Sequence, residues 1–200
     1  MFQKVAQDKC FCEKVMVGRM LKKEILLKNG QVCVLRQAIE QDAVGIIQYM
    51  NCVCGESDYL AFGRGDIDWT VEKERTFIRE HLDSENKLLV IAEVQGSING
   101  IVGFTGDERK RMRHTGEFGM AVSQKYWGIG LGSALIECMI EWAKASGIVR
   151  KINLRTRVDN QRALRLYKRF GFINEGLVSR QFKVADTFYD AYFMGLHIDP

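Results

Sequence analysis

Three glycines at alternate positions, Gly128, Gly130 and Gly132, separate a strand-like run from a long amphipathic segment. In full the stretch reads Gly119-Met120-Ala121-Val122-Ser123-Gln124-Lys125-Tyr126-Trp127-Gly128-Ile129-Gly130-Leu131-Gly132-Ser133. A strand over 115–122, a short loop and a helix over 131–146 satisfy this pattern. Leu131, Leu135, Met139, Ile140 and Ala143 share one face of that helix, Glu137, Glu141 and Lys144 lie largely opposite, and Gly147 stops it. The first turn of a helix presents amide N–H groups without intrahelical acceptors and carries a partial positive charge. Glycine lets an anion approach that backbone closely, so the turn reads as a cradle for a phosphate. Alone, it is a weak signal, its other reading being a tight turn that binds nothing.

Spacing excludes two nucleotide readings. A dinucleotide fingerprint starting at Gly128 needs its third glycine where Ser133 stands, and no Gly-Lys-Ser/Thr supplies a Walker lysine.

The rest of the chain predicts alternating sheet and helix. Strands over 24–28 and 31–36 flank Asn29-Gly30, a hairpin signal. A helix over 41–51 follows, then a loop over 55–69 rich in Gly, Asp and aromatics, then a helix to Leu82 capped by Thr70. Strands over 87–93, 98–104 and 152–158, a helix over 160–170 ended by Gly171, and a final hairpin of strands over 172–184 and 187–198 complete the order. Antiparallel strands followed by strand–helix–strand–helix–strand argue for an α/β (α+β) sheet covered by helices on both faces.

Composition narrows the function classes. The chain has 200 residues, 46% hydrophobic, with formal net charge +4. The first thirty residues hold seven basic and three acidic side chains, leaving 22 of each sign over 31–200. The excess is therefore terminal and the body neutral, so bulk charge is not expected to hold a ligand, and no nucleic-acid motif accompanies the basic end. Apolar stretches end well short of the roughly 18 residues of a membrane span, so no membrane association is expected. The six cysteines (Cys10, Cys12, Cys33, Cys52, Cys54, Cys138) lack Cys-x-x-Cys spacing. Free thiols and a cytoplasmic setting are expected.

A second motif adds specificity to the first. Asn160-Gln161-Arg162-Ala163-Leu164-Arg165-Leu166-Tyr167-Lys168-Arg169-Phe170-Gly171-Phe172 follows about thirty residues after the glycine loop. Trp127-Gly128-Ile129-Gly130-Leu131-Gly132 and this segment together resemble the two signatures of the GNAT superfamily of acyl-CoA-dependent N-acetyltransferases. Trp127 stands where the broad family has Gln or Arg; the Tyr126-Trp127-Gly128 variant looks like the subgroup that includes ribosomal-protein N-terminal acetyltransferases. The resemblance spans roughly 31–198 and is sharpest over 115–172. It implies a GNAT fold, with a mixed, mostly antiparallel sheet splayed at the cofactor site, in a single domain over 20–198. Residues 1–19 form a basic extension outside it.

The resemblance also implies acetyl-CoA as cosubstrate, no metal, and transfer to a primary amine (small molecule, amino acid or protein N-terminus) by direct attack in a ternary complex; a homodimer is compatible with it. The backbone of Met120, Ala121 and Val122 would pair with pantetheine. Trp127 and the loop from Gly128 through Ile129, Gly130, Leu131 and Gly132 to Ser133 would take the pyrophosphate. Asn160 would bond the pantetheine arm or serve as a plain N-cap. Ala163 and Leu166 would wall the thiol end or simply pack in the core. A non-catalytic acyl-CoA-binding module, acting as sensor or scaffold, is the alternative.

Acetyl transfer to an amine requires a base for the ammonium, a donor for the developing oxyanion and an acid for the departing thiolate. Glu117, on the strand before the loop, is the candidate base; its other reading is an ion pair at the sheet end. His114 is a rival, though Arg111, Arg113 and His114 read more simply as a basic turn. Tyr167 is the candidate acid, and a backbone amide near Val122 the oxyanion donor. Glu56, Asp58, Tyr59, Asp66, Tyr189 and Asp190 are candidates to recognise a cationic amine.

Overall fold

The computed structural model describes residues 21–199; the extension over 1–19, with Cys10 and Cys12, lies outside the described residues. The first elements among the described residues are β1 (Lys22–Leu26) and β2 (Val32–Gln37), paired antiparallel from Lys22–Arg36 to Leu26–Val32. The hairpin differs from a two-residue turn at Asn29-Gly30. Leu27 and Gln31 close it, with the Leu27 N–H donated to the Gln31 carbonyl at 2.9 Å, around a loop of Lys28, Asn29 and Gly30. Gly30 takes φ +81°, and Leu27 turns into the core at 3% exposure, which draws the strand ends back from the turn.

Helices α1 (Ala43–Val53) and α2 (Val71–Leu82) follow, separated by the loop over 55–69. The Thr70 hydroxyl accepts the Lys73 N–H at 3.2 Å and so caps α2. β3 (Lys87–Val94) and β4 (Ser97–Gly106) form a hairpin through Gln95 and Gly96, both at positive φ. β5 (Thr115–Val122) leads into α3 (Leu131–Ser146), then β6 (Lys151–Arg157), α4 (Gln161–Arg169), β7 (Ile173–Val184) and β8 (Thr187–His197).

The eight strands form one sheet in the order β1-β2-β3-β4-β5-β6-β8-β7, antiparallel throughout except for the parallel β5–β6 pair. Each face has its own core. Leu88, Val90, Ala92, Val102 and Phe104 pack against α3 and α4 on one side. Leu89, Ile91 and Ile101 pack against α1 and α2 on the other. Because β3 is buried on both faces, its sequence Leu88-Leu89-Val90-Ile91-Ala92 is continuously apolar instead of alternating. The described cysteines, Cys33, Cys52, Cys54 and Cys138, are free thiols. Among the described residues no helix is long and apolar enough to cross a membrane, and no cluster of His, Cys, Asp and Glu could hold a metal ion.

Candidate active site

The site begins where the sheet opens. β5 and β6 pair at three positions only, Thr115–Lys151, Gly116–Ile152 and Glu117–Asn153. Beyond them each strand stays with its outer neighbour: β5 follows β4 to the Val122–Gly100 pair, and β6 follows β8 to Arg157–Ala191. A wedge-shaped gap results. Ser123 donates its N–H to Asn99 on the β4 side at 3.0 Å. By strand alternation, the peptide groups of Phe118, Met120 and Val122 therefore face the gap. Backbone groups in such a gap need partners, and an extended ligand can supply them as an added strand.

The cradle lies at the wide end of the gap. Gly128 and Gly130 adopt φ +79° and +105°, conformations that glycine accepts readily, and a Cβ at either position would meet nothing within 4 Å. Gly130 is the N-cap of α3, and the first bond to reach back to it is the Ala134 N–H to the Gly130 carbonyl, at 3.0 Å. The N–H groups of Leu131, Gly132 and Ser133 thus precede the helical ladder. Two contacts fix the loop: the Lys28 N–H donates to the Ile129 carbonyl at 3.1 Å, and Trp127 Nε1 donates to the Val122 carbonyl at 2.7 Å.

Gap and cradle belong to one cavity of about 1100 Å³. Of the residues expected there, Glu117, Met120, Ala121, Val122, Trp127, Gly128, Gly130, Gly132, Ser133, Asn160, Ala163, Leu166 and Tyr167 form its wall. Ile129 and Leu131 do not: both side chains join the core beneath α3. Asn160 is the N-cap of α4, its Oδ1 accepting the Ala163 N–H at 3.1 Å. The cap reading therefore holds, and the amide also reaches the cavity wall. Local cations join the cradle despite the neutral body. Lys28, Arg162, Arg165 and Arg169 all line the cavity. Arg162 stacks over the Trp127 ring at 4.5 Å, and Arg169 hydrogen-bonds the Ser133 hydroxyl. Their signal was present as Arg162-x-x-Arg165-x-x-x-Arg169, one face of α4.

Tyr167 lies at the narrow end. Its ring stands edge-on to Phe118 at 5.8 Å and to Phe172 at 5.8 Å, and burial pushes its phenol up to about 12. Glu117 also lines the cavity, but Arg155 donates to its carboxylate at 2.9 Å across the strand junction. The ion-pair reading of Glu117 is thus realised, and one face of the carboxylate is occupied.

A sequence model of the Acetyltransferase (GNAT) family matches residues 57–172. The chain belongs to this family. The GNAT-family acetyltransferase of Streptococcus pneumoniae is 37% identical and superposes with a TM-score of 0.81 over 84% of this chain and 99% of that one. The L-amino acid N-acetyltransferase AaaT of Escherichia coli is 31% identical over 105 residues, which span 52% of this chain and 65% of that protein. YncA of Salmonella typhimurium, solved with its cofactor acetyl-CoA, is 19% identical with a TM-score of 0.73 over 84% of this chain and 94% of that one, a likeness of fold.

Of the candidate recognition residues, Glu56, Tyr59, Asp66, Tyr189 and Asp190 have side-chain partners within the protein, and Asp58 is engaged through its backbone carbonyl. The Glu56 carboxylate accepts the Gln124 N–H at 2.6 Å and ties the 55–69 loop to the end of β5. Asp66 accepts the Gly63 N–H at 2.7 Å, and Asp190 accepts the Arg180 N–H at 2.8 Å within the β7–β8 irregularity. Tyr59 and Tyr189 do come together, but around a buried cation that sequence reasoning missed. The Arg157 guanidinium lies 3.5 Å from the Tyr189 ring centre and 5.0 Å from that of Tyr59, pairs with Asp159 at 2.7 Å, and donates to the Asp58 carbonyl at 3.0 Å. This cluster clips the 55–69 loop to the sheet. Of the five chief candidates (Glu56, Asp58, Tyr59, Tyr189 and Asp190), Tyr59 alone reaches the cavity wall.

Proposed function

We propose that this GNAT chain transfers the acetyl group of acetyl-CoA to a primary amine by direct attack within a ternary complex. One observation carries the reading: the β5–β6 junction opens after three pairs into a cavity that also holds the first turn of α3. A thioester on an extended, phosphate-bearing arm matches both parts. Backbone groups of Met120 and Val122 supply strand-like partners to the arm. The amides of Leu131 to Ser133 and the cations Lys28, Arg162, Arg165 and Arg169 suit phosphates. The cavity is lined by residues of both core clusters, Ile46 and Leu89 on one face, Leu154 and Leu166 on the other. An acyl-CoA arriving beside α3 and α4 can thus meet an acceptor arriving beside α1 and α2.

In the reaction the ammonium first loses a proton to a base or water, and the neutral nitrogen attacks the thioester carbonyl carbon. The tetrahedral intermediate collapses with cleavage of the carbon–sulfur bond, the nitrogen giving up its second proton as the thiolate departs. The Val122 N–H, turned into the gap, suits the oxyanion. Tyr167 suits the thiolate. Its phenol, raised to about 12, stays protonated at neutral pH and offers a hydrogen bond to sulfur. Amino acids, small amines and protein N-termini all satisfy this chemistry; the E. coli relative acts, by name, on L-amino acids.

Free-thiol release from acetyl-CoA against a panel of amines, amino acids and peptides with free N-termini tests the reading. Acceptor-dependent release is expected. Tight acetyl-CoA binding without release for any acceptor would instead mark a binding module.

A further inference from the structure

With Glu117 held by Arg155, the acceptor end of the cavity contains one carboxylate with no such claim. α2 buries Glu74, Ile78 and His81, a spacing that marks one inward face, and Glu74 occupies a position on it where an aliphatic residue would ordinarily pack. Only 5% of Glu74 is exposed, and its side chain forms part of the cavity wall. No described residue donates a hydrogen bond to the Glu74 carboxylate or forms an ion pair with it. Nor do its oxygens rank among the sealed, partnerless side-chain atoms, which among the described residues are Tyr49 Oη and Asn153 Oδ1. The carboxylate therefore keeps some accessible surface, on a side chain that borders the cavity. A buried carboxyl without an internal partner is costly, and its cost is relieved by a cationic guest.

The surroundings describe that guest. Ile46, Met50, Val53, Leu60, Phe62 and Trp69 also line the cavity, and Trp69 stands edge-on to Phe62 at 5.5 Å. These are apolar and aromatic groups, with no basic side chain from α1 or α2 among the cavity-lining residues. Burial alone raises the carboxyl of Glu74 to about 7, so it can exchange a proton near neutrality.

We propose that Glu74 is the acceptor-site residue that receives the ammonium of a primary amine bearing an apolar or aromatic substituent, and takes the proton that nitrogen loses. This rests on the acetyltransferase reading and deepens it by naming the substrate class. An amine carrying its own carboxylate beside the nitrogen would set that charge against Glu74 and is disfavoured.

Two measurements test it. Thiol-release kinetics with 2-phenylethylamine and phenylalanine, at saturating acetyl-CoA, should show kcat/KM at least about tenfold higher for the amine. Glu74→Gln should lower the value for the amine at least about a hundredfold, within the range lost with a general base. Acetyl-CoA affinity, measured by calorimetry, should not change. The second measurement is independent of turnover. Titration of the CoA-bound enzyme with 2-phenylethylamine and with its neutral isostere 2-phenylethanol should favour the amine, and Glu74→Gln should abolish that preference. Unchanged kcat/KM in Glu74→Gln, a preference for phenylalanine, or equal binding of amine and alcohol would each overturn the proposal. If no amine is acetylated while acetyl-CoA still binds, the acetyltransferase reading fails by itself, and the titration still decides whether Glu74 selects a cation.

Discussion

The two ends of the cavity are built on different principles. The end proposed to hold acetyl-CoA comes from one unbroken stretch, β5 through the glycine loop into α3, and from α4 two elements later. Its expected ligand contacts are largely backbone: strand amides from β5 and helix-end amides from α3. The end proposed for the acceptor is assembled from side chains far apart in the chain. Tyr59 of the loop lines it and is held by Arg157 of β6 together with Tyr189 of β8, while Glu74 comes in on α2. A backbone site demands glycine and spacing; a side-chain site demands only that distant residues meet. On the proposed reading, the first would hold one cofactor through large changes of sequence, and the second would change acceptor without disturbing the first.

The sharpest way to break this division is to damage one end and look for effects at the other. Gly132 sits in the first turn of α3 with ordinary helical backbone, and a Cβ there would point toward Leu166 at 3.4 Å and Met120 at 3.6 Å. Glu at this position suits the helix, since a carboxylate in the first turn adds about 0.3–1 kcal/mol. It would nevertheless set a negative charge where phosphate is expected, at a cost of several kcal/mol. Gly132→Glu should weaken acetyl-CoA binding at least about a hundredfold by calorimetry, roughly 2.8 kcal/mol, with melting temperature retained. Unimpaired binding would remove the cradle from the cofactor end.

The second prediction probes the acceptor end through stability. Burial raises Glu74 from 4.5 to about 7, so between those values the folded chain binds the extra proton. Stability is thus fully retained below about pH 4.5 and lost as pH rises through 7, by at most about 3 kcal/mol. Glu74→Gln removes the dependence. Its melting temperature should exceed wild type at pH 8 and match it near pH 4. A gain that is flat with pH would show that the carboxyl is solvated.

The contrast also explains what could be read from the sequence. The β5–α3 turn, the α4 motif and both flanking helices were legible because their signals are local: glycine spacing, 3.6-residue periodicity and caps at Thr70 and Gly147. The β1–β2 turn departs from the local signal by a residue or two because the burial of Leu27, a tertiary event, moves the strand ends. Acidic and aromatic loop residues were sensible candidates for a cationic substrate, yet Tyr59 and Tyr189 had a resident cation in Arg157. No local pattern announces that meeting. Glu74 had a weak signal, a carboxylate on the inward stripe Glu74–Ile78–His81, which is informative only once α2 is known to border a cavity.

Arg157 supplies the third prediction. Arg157→Met keeps much of the apolar bulk but removes the charge from between Tyr59 and Tyr189. Asp159 remains partly solvated, so the cost should fall near the cation–π and charged hydrogen-bond contributions, about 2 kcal/mol. The denaturant midpoint should fall accordingly, and KM for the amine should rise as the 55–69 loop loosens. Acetyl-CoA affinity should stay constant; if it falls in parallel, the two ends are one cooperative unit.

The smallest effect is expected at Tyr167, where the two ends meet. A positioned general acid is ordinarily worth about 10²–10⁴ in rate. A phenol at about 12, however, lies well above an ordinary thiol near 8.5, so full proton transfer to the departing sulfur runs uphill. Its share is then mainly a hydrogen bond to developing negative charge in a dry pocket, bounded by Phe118 and Phe172. Tyr167→Phe should therefore lower kcat about tenfold, equivalent to roughly 1.4 kcal/mol, while preserving acetyl-CoA affinity and the ring packing. Because the phenol stays protonated well above neutrality, the wild-type rate should show no loss between pH 7 and 10 that the variant lacks. A thousandfold fall would mean that the thiolate is desolvated strongly enough to match the phenol, so that Tyr167 completes the transfer; an unchanged rate would leave the sulfur to the backbone of the cofactor end alone.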